Sequence, residues 1–434
     1  MNALESSFSP LRPEGYVPRI VDARVERYLS IFGAVEIAGT KWCGKTWTAC
    51  AHGASITYID RNNNLQLAQA DPHIVLEGAR PHIVDEWQKA PGIWNAVRHE
   101  IDLVRGLRGG WILTGSSTPP KDGNRHSGAG RIGRIRMLPM SLSESSDSTK
   151  SVSLAGLFRG EFAAAAVPHD TRALVELCCR GGWPETFDDN YTIAQHVARE
   201  YLQSIYEQSA PAHSKNSQVT ERLVQSIARN LGQTPTLSTT LQDMNGFAVE
   251  VKSEKTLSEY LEFLRSIFLI QEIPGWVPTS RSPKRLRTKP KRYFADPSLP
   301  IAALGLSPEG LFNDWQTFGL VFENLCIRDL IVYASALELS PRHPVKYYRD
   351  DSGLEVDAII ELTDGSWAAF EFKVSEDKVD EGIAGLKRLR KKLGADKNAR
   401  NKPPSFMAII TGNGEFAREA EEGIYVIPIR ALTA

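Results

Sequence analysis

The sequence predicts an α/β protein of several domains: a parallel-sheet domain first, a helical and winged-helix-like middle, and a second α/β domain at the carboxy terminus. Three observations lead there. Short apolar runs ending in turn residues recur through the first 115 residues, with gaps long enough for crossover helices. Apolar residues at helical spacing dominate the middle of the chain. A series of strand-like runs, broken by one basic helix, closes it. At 434 residues the chain exceeds one ordinary core, and roughly three domains are expected.

The first strand is Ala34-Val35-Glu36-Ile37-Ala38, which stops at Gly39, and Lys45 onward continues as a helix. Further strands are expected from Ser55 to Asp60, Pro81 to Asp85 and Gly110 to Gly115. SLSESSDSTKSVS, residues 141–153, is Ser-rich and polar, and reads as a linker or exposed loop closing the first domain. Residues 170–210 are helical, broken at Arg180-Gly181-Gly182-Trp183-Pro184-Glu185 by the Gly pair and Pro. Helical spacing returns over 219–233 (Leu223, Ile227, Leu231) and 254–272 (Leu257, Leu261, Leu264, then Ile267 or Phe268). The basic RSPKRLRTKPKRYF then suggests the β-hairpin wing of a winged helix. From about 311 a helix runs through Phe322 to Leu330, followed by the strands VKYYRDD, LEVDAIIEL, WAAFEFKVS, PSFMAIIT and GIYVIPI. A Lys/Arg-rich helix, Leu386 to Leu393, separates the third from the fourth. There is no internal repeat.

Lys plus Arg (51) nearly balances Asp plus Glu (52), so no global field drives the chain onto nucleic acid or membrane. Five cysteines, at 43, 50, 178, 179 and 326, form no C-x-x-C pair and suit a reducing compartment better than a disulfide framework. The amino terminus lacks the pattern of a signal peptide, and no run approaches the ~18 apolar residues of a membrane span. A cytoplasmic protein with no membrane partner is expected.

Gly39-Thr40-Lys41-Trp42-Cys43-Gly44-Lys45-Thr46 is a G-x-x-x-x-G-K-T string in strand–loop–helix context, and with Trp47 it is the candidate nucleotide-binding segment. Gly39 and Gly44 let backbone N–H groups turn inward around a phosphate, Lys45 neutralises the β and γ oxygens, and the Thr46 hydroxyl sits on Mg²⁺. Ile83-Val84-Asp85-Glu86 ends a strand in two acids: Asp85 as the magnesium partner and Glu86 as the group that orients attacking water. Ser116, after the Trp111 to Thr114 strand, is the candidate γ-phosphate sensor. Arg131 and Arg134 are candidates for the charge that develops in the transition state. Polar residues after strands and solvated arginine runs are the ordinary alternatives for these three. No N-K-x-D string marks guanine, so ATP is expected. Cys43, feeding a helix amino terminus, is expected to be either a reactive thiol shielded by bound nucleotide or a small residue that the loop tolerates.

Tyr16-Val17-Pro18-Arg19-Ile20-Val21-Asp22, FGAVEIAGTKWCGKT, VDEWQKAP, WILTGSSTP and HSGAGRIGRIRMLPMSL together resemble a prokaryotic family of AAA-type ATPases whose members carry a carboxy-terminal domain of unknown function. RGGWPE (180–185) and KRYFADPSL (291–299) look like hallmarks of that second part, so the resemblance covers nearly the whole chain. Thr40 departs from the Pro that many members have there, at a position whose side chain phosphate binding does not need. The resemblance implies an AAA-like ATP-binding domain over 16–148, a helical lid or linker over 149–210, a winged-helix-like domain over 211–300 and a domain similar to the PD-(D/E)-x-K nuclease fold over 301–434.

In WAAFEFKVS, Glu371 and Lys373 share one face of a strand. Asp357 on the preceding strand and Glu323 on the opening helix complete a candidate second metal site that matches the nuclease-like pattern, with hard oxygens suited to Mg²⁺ or Mn²⁺. A solvated cross-strand charge pattern on a half-exposed strand is the alternative. Between Arg281 and Arg292 there are seven Lys or Arg and no acid, suited either to a nucleic-acid backbone or to a protected hairpin edge. The expected function is ATP hydrolysis that drives or switches a carboxy-terminal domain facing DNA or another nucleic acid. The alternative is a signalling or protein-binding module with little turnover and an inactive nuclease-like domain. An arginine supplied in trans would require a homo-oligomer.

Overall fold

The structure is a computed structural model that describes residues 9–119, 127–187, 191–244, 251, 253–278, 289–395 and 402–434. The chain forms two compact units: residues up to Pro139 with Ser266–Phe268, and Met140–Arg265 with Leu269–Ala434.

In the first unit, α1 (Asp22–Leu29), β1 (Ala34–Gly39), α2 (Lys45–His52), β2 (Ser55–Tyr58), α3 (Asn64–Ala70), β3 (His82–Asp85), α4 (Gly92–Leu103), β4 (Trp111–Gly115) and β5 (Ile132–Met137) follow in sequence. The strands make one parallel sheet in the order β2-β3-β4-β1-β5. β3 and β4 are buried along their whole length, as strands covered on both faces must be. Trp87, Trp94 and Trp111 fill one side of the sheet; Val35, Ile37, Ile83 and Ile112 fill the other. The register sets Ala38 beside Gly115 and Tyr58 beside Asp85, so the loop after β1 and the acids after β3 emerge at the same carboxyl edge. In parallel sheets that edge is where ligands bind.

The second unit contains β6 (Val152–Ser153), α5 (Leu154–Phe158), β7 (Ala165–Ala166), α6 (Thr171–Arg180), α7 (Tyr191–Ser204), α8 (Ala210–Ala212), α9 (Ser217–Arg229), α10 (Leu237–Met244), α11 (Glu254–Ser266), β8 (Ile270–Ile273) and β9 (Lys291–Phe294). It continues with α12 (Ser298–Ala303), α13 (Pro308–Asn313), α14 (Trp315–Ser335), β10 (Val345–Arg349), β11 (Glu355–Glu361), β12 (Trp367–Lys373), α15 (Val379–Ala395), β13 (Phe406–Thr411), β14 (Phe416–Glu421), β15 (Ile424–Pro428) and β16 (Leu432–Thr433). A mixed sheet of order β10-β11-β12-β13-β15-β14-β7 is its base, and α14 and α15 both pack on β12. β12 is buried from Trp367 to Phe372, so the half-exposed strand considered above does not occur.

Three further expectations are corrected. The Ser-rich stretch 141–153 is no exposed linker: Ser141, Leu142, Ser143 and Ser148 are buried. The Leu142 N–H donates to Asp329 (3.1 Å), the Ser143 N–H to the Tyr333 hydroxyl (3.1 Å), and Ser148 Oγ to the Leu432 carbonyl (2.8 Å). Serine hydroxyls that bond to backbone satisfy themselves without water, so polar composition does not imply exposure. The helix expected to reach 272 ends at Ser266, where Phe268 at φ 60° turns the chain into β8, which pairs with β9. Of the basic run, Arg281 to Arg287 lie outside the described residues, while Lys291 is buried in ion pairs and Arg292 binds Glu272 at 3.2 Å. Those two cations are committed within the fold. Among the described residues no helix is long and apolar enough to cross a membrane.

Arg328 of α14 lies buried between Asp296 (2.9 Å) and Asp329 (2.7 Å). Removing the guanidinium leaves two carboxylates in the interior, a change that typically costs about 3–5 kcal/mol. Arg328→Ala is therefore expected to lower the stability of the second unit by about that amount, read as an earlier denaturant midpoint. A midpoint unchanged from wild type would show that the triad is energetically idle.

Candidate functional site

β1 ends at Gly39, and the loop that follows caps α2 with Gly44 at φ 97°, a left-handed conformation in which glycine is the unstrained residue. Gly39 is required for a different reason: a Cβ there would lie 2.1 Å from the Met137 carbonyl oxygen. Trp42 also has positive φ, 63°, a strained value for a non-glycine residue. Lys45 is buried and its Nζ donates to the Thr40 carbonyl at 2.7 Å, inside the loop. Arg19 straps the loop from outside the motif, donating to the Cys43 carbonyl and the Leu138 carbonyl at 2.9 Å each.

The acids after β3 meet this loop. Thr46 Oγ1 donates to Asp85 Oδ1 at 2.8 Å, and Thr114 Oγ1 donates to the same oxygen at 2.5 Å. Burial raises the Asp85 carboxyl above its ordinary range, against the opposing pull of these hydroxyls. A hydroxyl and a carboxylate in contact beside a lysine-bearing loop are hard oxygen donors that fit Mg²⁺ with a nucleotide phosphate. Glu86 sits at φ 58°, ψ 40°, and its Oε2 accepts from Ser116 Oγ at 3.0 Å and from the Gln88 amide. Thus Thr46, Asp85, Glu86 and Ser116 come together at one edge.

Arg131 and Arg134 do not join them. Arg134 pairs in register with Glu36, three residues before Gly39, so at the usual strand rise it lies about 10 Å from the loop, and Arg131 lies further. Arg131 binds Asp102 at 2.5 Å; Arg134 binds Glu36 at 3.4 Å and lies over the Trp94 ring. Cys43 is fully buried against Val35, Ile37, Ile135 and Met137, so its side chain belongs to the core and the expectation of a reactive thiol is withdrawn. Trp42 and Trp47 are each 49% exposed beside the loop.

In the second unit, Lys373 binds Glu371 at 3.2 Å, and Asp357 accepts from the Phe372 N–H at 2.8 Å. Glu323 accepts from Tyr293 and from Lys291 Nζ (3.2 Å), and Lys291 also binds Glu355 at 2.7 Å. A buried ammonium thus already stands among the carboxylates. Glu323, Asp357 and Glu371 do not converge as a ligand set; among the described residues the group of three with ligand atoms within 4.8 Å of one another is His73, His99 and Glu100, at the surface. Burial, then Asp357, pushes Glu323 up to about 7 and Glu371 up to about 8. Burial alone would lower Lys291, and Glu323, Asp357 and Glu355 together outweigh it and raise it. Lys291, Arg349 and Glu355 open onto a polar cleft with Asn230, Gln233 and Thr234.

Residues 32–146 match the family model of an AAA domain, residues 171–310 that of a domain of unknown function (DUF8612), and residues 318–432 that of another (DUF4143). The phosphate loop and this match define the class: the first unit carries an AAA-like ATPase domain. Among solved structures, a Walker-type ATPase of Pyrococcus abyssi is 13% identical at a TM-score of 0.43, over 68% of this chain and 98% of its own. A RuvB variant of Thermotoga maritima is 15% identical at a TM-score of 0.29, over 64% and 98% respectively. No curated protein matches.

Sequence reasoning passed over Arg19 and Gln88, and read Lys291 only as one cation of the basic segment 281–292. Arg19 and Lys291 stood inside strings used for the resemblance, and Gln88 inside VDEWQKAP, but a side chain's partner across the fold has no signature in its neighbours.

The raised carboxyls have a pH consequence. The fold prefers Glu323 and Glu371 protonated, so their contribution to stability is whole below the unfolded value near ~4.3 and is lost as pH climbs through about 7 and 8. Glu371→Gln should therefore melt above wild type at pH 8.5, with the gap closing at pH 5. Parallel melting curves at both pH values would refute the assignment.

Proposed function

We propose that the protein is a Mg-dependent ATPase whose carboxy-terminal half is a docking module. The observation that carries the first part is the Thr46–Asp85 contact at the mouth of the phosphate loop, with Glu86 and Ser116 beside it. Lys45 exchanges the Thr40 carbonyl for β and γ oxygens, while Thr46 and Asp85 hold magnesium. Bound Mg-ATP supplies the phosphoryl electrophile; Glu86 orients water toward it and Ser116 senses the γ-phosphate. Arg131 and Arg134 serve the loop of a neighbouring copy, since each is remote from its own, and turnover then requires a homo-oligomer.

The second part rests on Lys291. An ammonium within hydrogen-bonding reach of Glu323 and Glu355 opposes a divalent cation at the same carboxylates, which favours binding over cleavage for the nuclease-like domain. Within the basic segment 281–292, the cations from Arg281 to Lys289 are those suited to a nucleic-acid backbone, since Lys291 and Arg292 are already paired.

Lys45→Ala is expected to abolish binding of a fluorescent ATP analogue. Glu86→Gln should keep that binding within about threefold and lose about 10²–10⁴ in phosphate release. Equal loss of binding in both variants would defeat these roles. In a plasmid-nicking assay with Mn²⁺, no cut is expected in any nucleotide state; a nick that disappears in Lys373→Ala would make the domain a nuclease. Stimulation of phosphate release by DNA identifies a nucleic-acid partner, and its absence favours a protein partner.

A further inference from the structure

Glu86, Trp87 and Gln88 form a tight turn after β3. Trp87 is buried against Trp94, with ring centroids 5.0 Å apart, and anchors the turn in the core. The Lys89 N–H donates to the Glu86 carbonyl at 3.0 Å, and the Glu86 N–H donates to Thr114 Oγ1 at 3.2 Å, so the backbone is pinned on both sides. Glu86 holds a left-handed conformation at φ 58°, which for a non-glycine residue is unfavourable and persists where the surroundings impose it. With Trp87 turned inward, its two neighbours meet each other: the Gln88 amide donates to Glu86 Oε2 and, at 3.3 Å, to Ser116 Oγ, which itself donates to Glu86 Oε2 at 3.0 Å. One carboxylate oxygen therefore receives two donors. The remaining Gln88 atom, Oε1, is buried over Gly115, where the Trp87 indole nitrogen also lies, so the amide nitrogen is the end that faces Glu86.

We propose that Gln88 is a positioning residue for ATP hydrolysis: its amide N–H holds the Glu86 carboxylate, together with Ser116, in the orientation from which Glu86 directs the attacking water. This rests on the reading of Glu86 as the water-orienting base. The water gives a hydrogen bond to Glu86, whose fixed carboxylate turns the water's lone pair toward the γ-phosphorus. Attack forms the new P–O bond as the bond to the β-γ bridging oxygen breaks, ADP leaves with that oxygen, and the proton of the water passes to Glu86. Gln88 itself exchanges no proton.

The test uses full-length protein, with kcat and KM for ATP, the dissociation constant of a fluorescent ATP analogue, and the melting temperature measured for wild type, Gln88→Ala and Gln88→Glu. Gln88→Ala is expected to lose about 10–100-fold in kcat, as partners of reacting groups typically do, with KM and nucleotide affinity within about threefold and melting within a few degrees. Gln88→Glu keeps the size and the acceptor but has no amide donor and sets a second carboxylate against Glu86, so it should be at least as impaired. Wild-type kcat in either variant, or a loss confined to KM and melting temperature, overturns the proposal. If Gln88→Ala fails to fold, Gln88→Glu decides alone. A wild-type protein that binds the analogue but releases no phosphate, alone or with DNA, overturns the hydrolytic reading itself and Gln88's role with it.

Discussion

Arg328 carries its charge into the interior of the second unit, and four stretches of chain are arranged around that charge. Asp296 and Asp329 neutralise it, and each carboxylate has further work. Asp296 also accepts from the Gly182 N–H at 2.9 Å and from Ser298, while Asp329 accepts from the Leu142 N–H and the Tyr333 hydroxyl. A buried ion pair is weak as a source of stability but severe as a constraint, because any partner that moves away leaves a bare charge. That constraint explains RGGWPE. The Gly182 carbonyl accepts from the Met140 N–H at 2.7 Å, and a Cβ on Gly182 would lie 2.1 Å from the Met140 oxygen. The motif, with Asp296 of KRYFADPSL, is thus a packing device.

The same second unit shows how one lysine changes the meaning of a set of acids. Taken alone, Glu323, Asp357 and Glu371 beside Lys373 suggest a divalent cation. Lys291, delivered by β9 from outside the sheet that carries Asp357 and Glu371, supplies positive charge without metal. Part of the compensation is protonation, since burial holds two of the carboxyls up near neutrality. In the first unit the order is different: Asp85 is met by two hydroxyls and Glu86 by an amide and a hydroxyl. Neither acid has a cation among those donors, which suits a site whose charge partners arrive with the ligand.

Much of this was legible in local sequence. The strand–loop–helix around Gly39 to Thr46, the acids closing β3 and the five carboxy-terminal strands all announced themselves through apolar runs and turn residues, whose periods follow from backbone geometry. β14 did not, because Phe416-Ala417-Arg418-Glu419-Ala420-Glu421 has too little apolar content to read as a strand until β15 and β7 hold it. The Ser-rich stretch misled for the converse reason: polar side chains that find buried backbone partners look like solvent-facing ones in composition.

By itself, then, the sequence determined most of the elements and the chemistry available at each, because helical and strand periodicity and the phosphate loop's glycines act over a few residues. Only tertiary structure decided the partners: that Cys43 faces the core, that Arg131 and Arg134 lie some strand residues away from their own loop, and that Lys291 stands among the carboxylates. Charge pairing and burial depend on distances between residues tens to hundreds of positions apart in the chain, and those distances exist only once the sheets have closed.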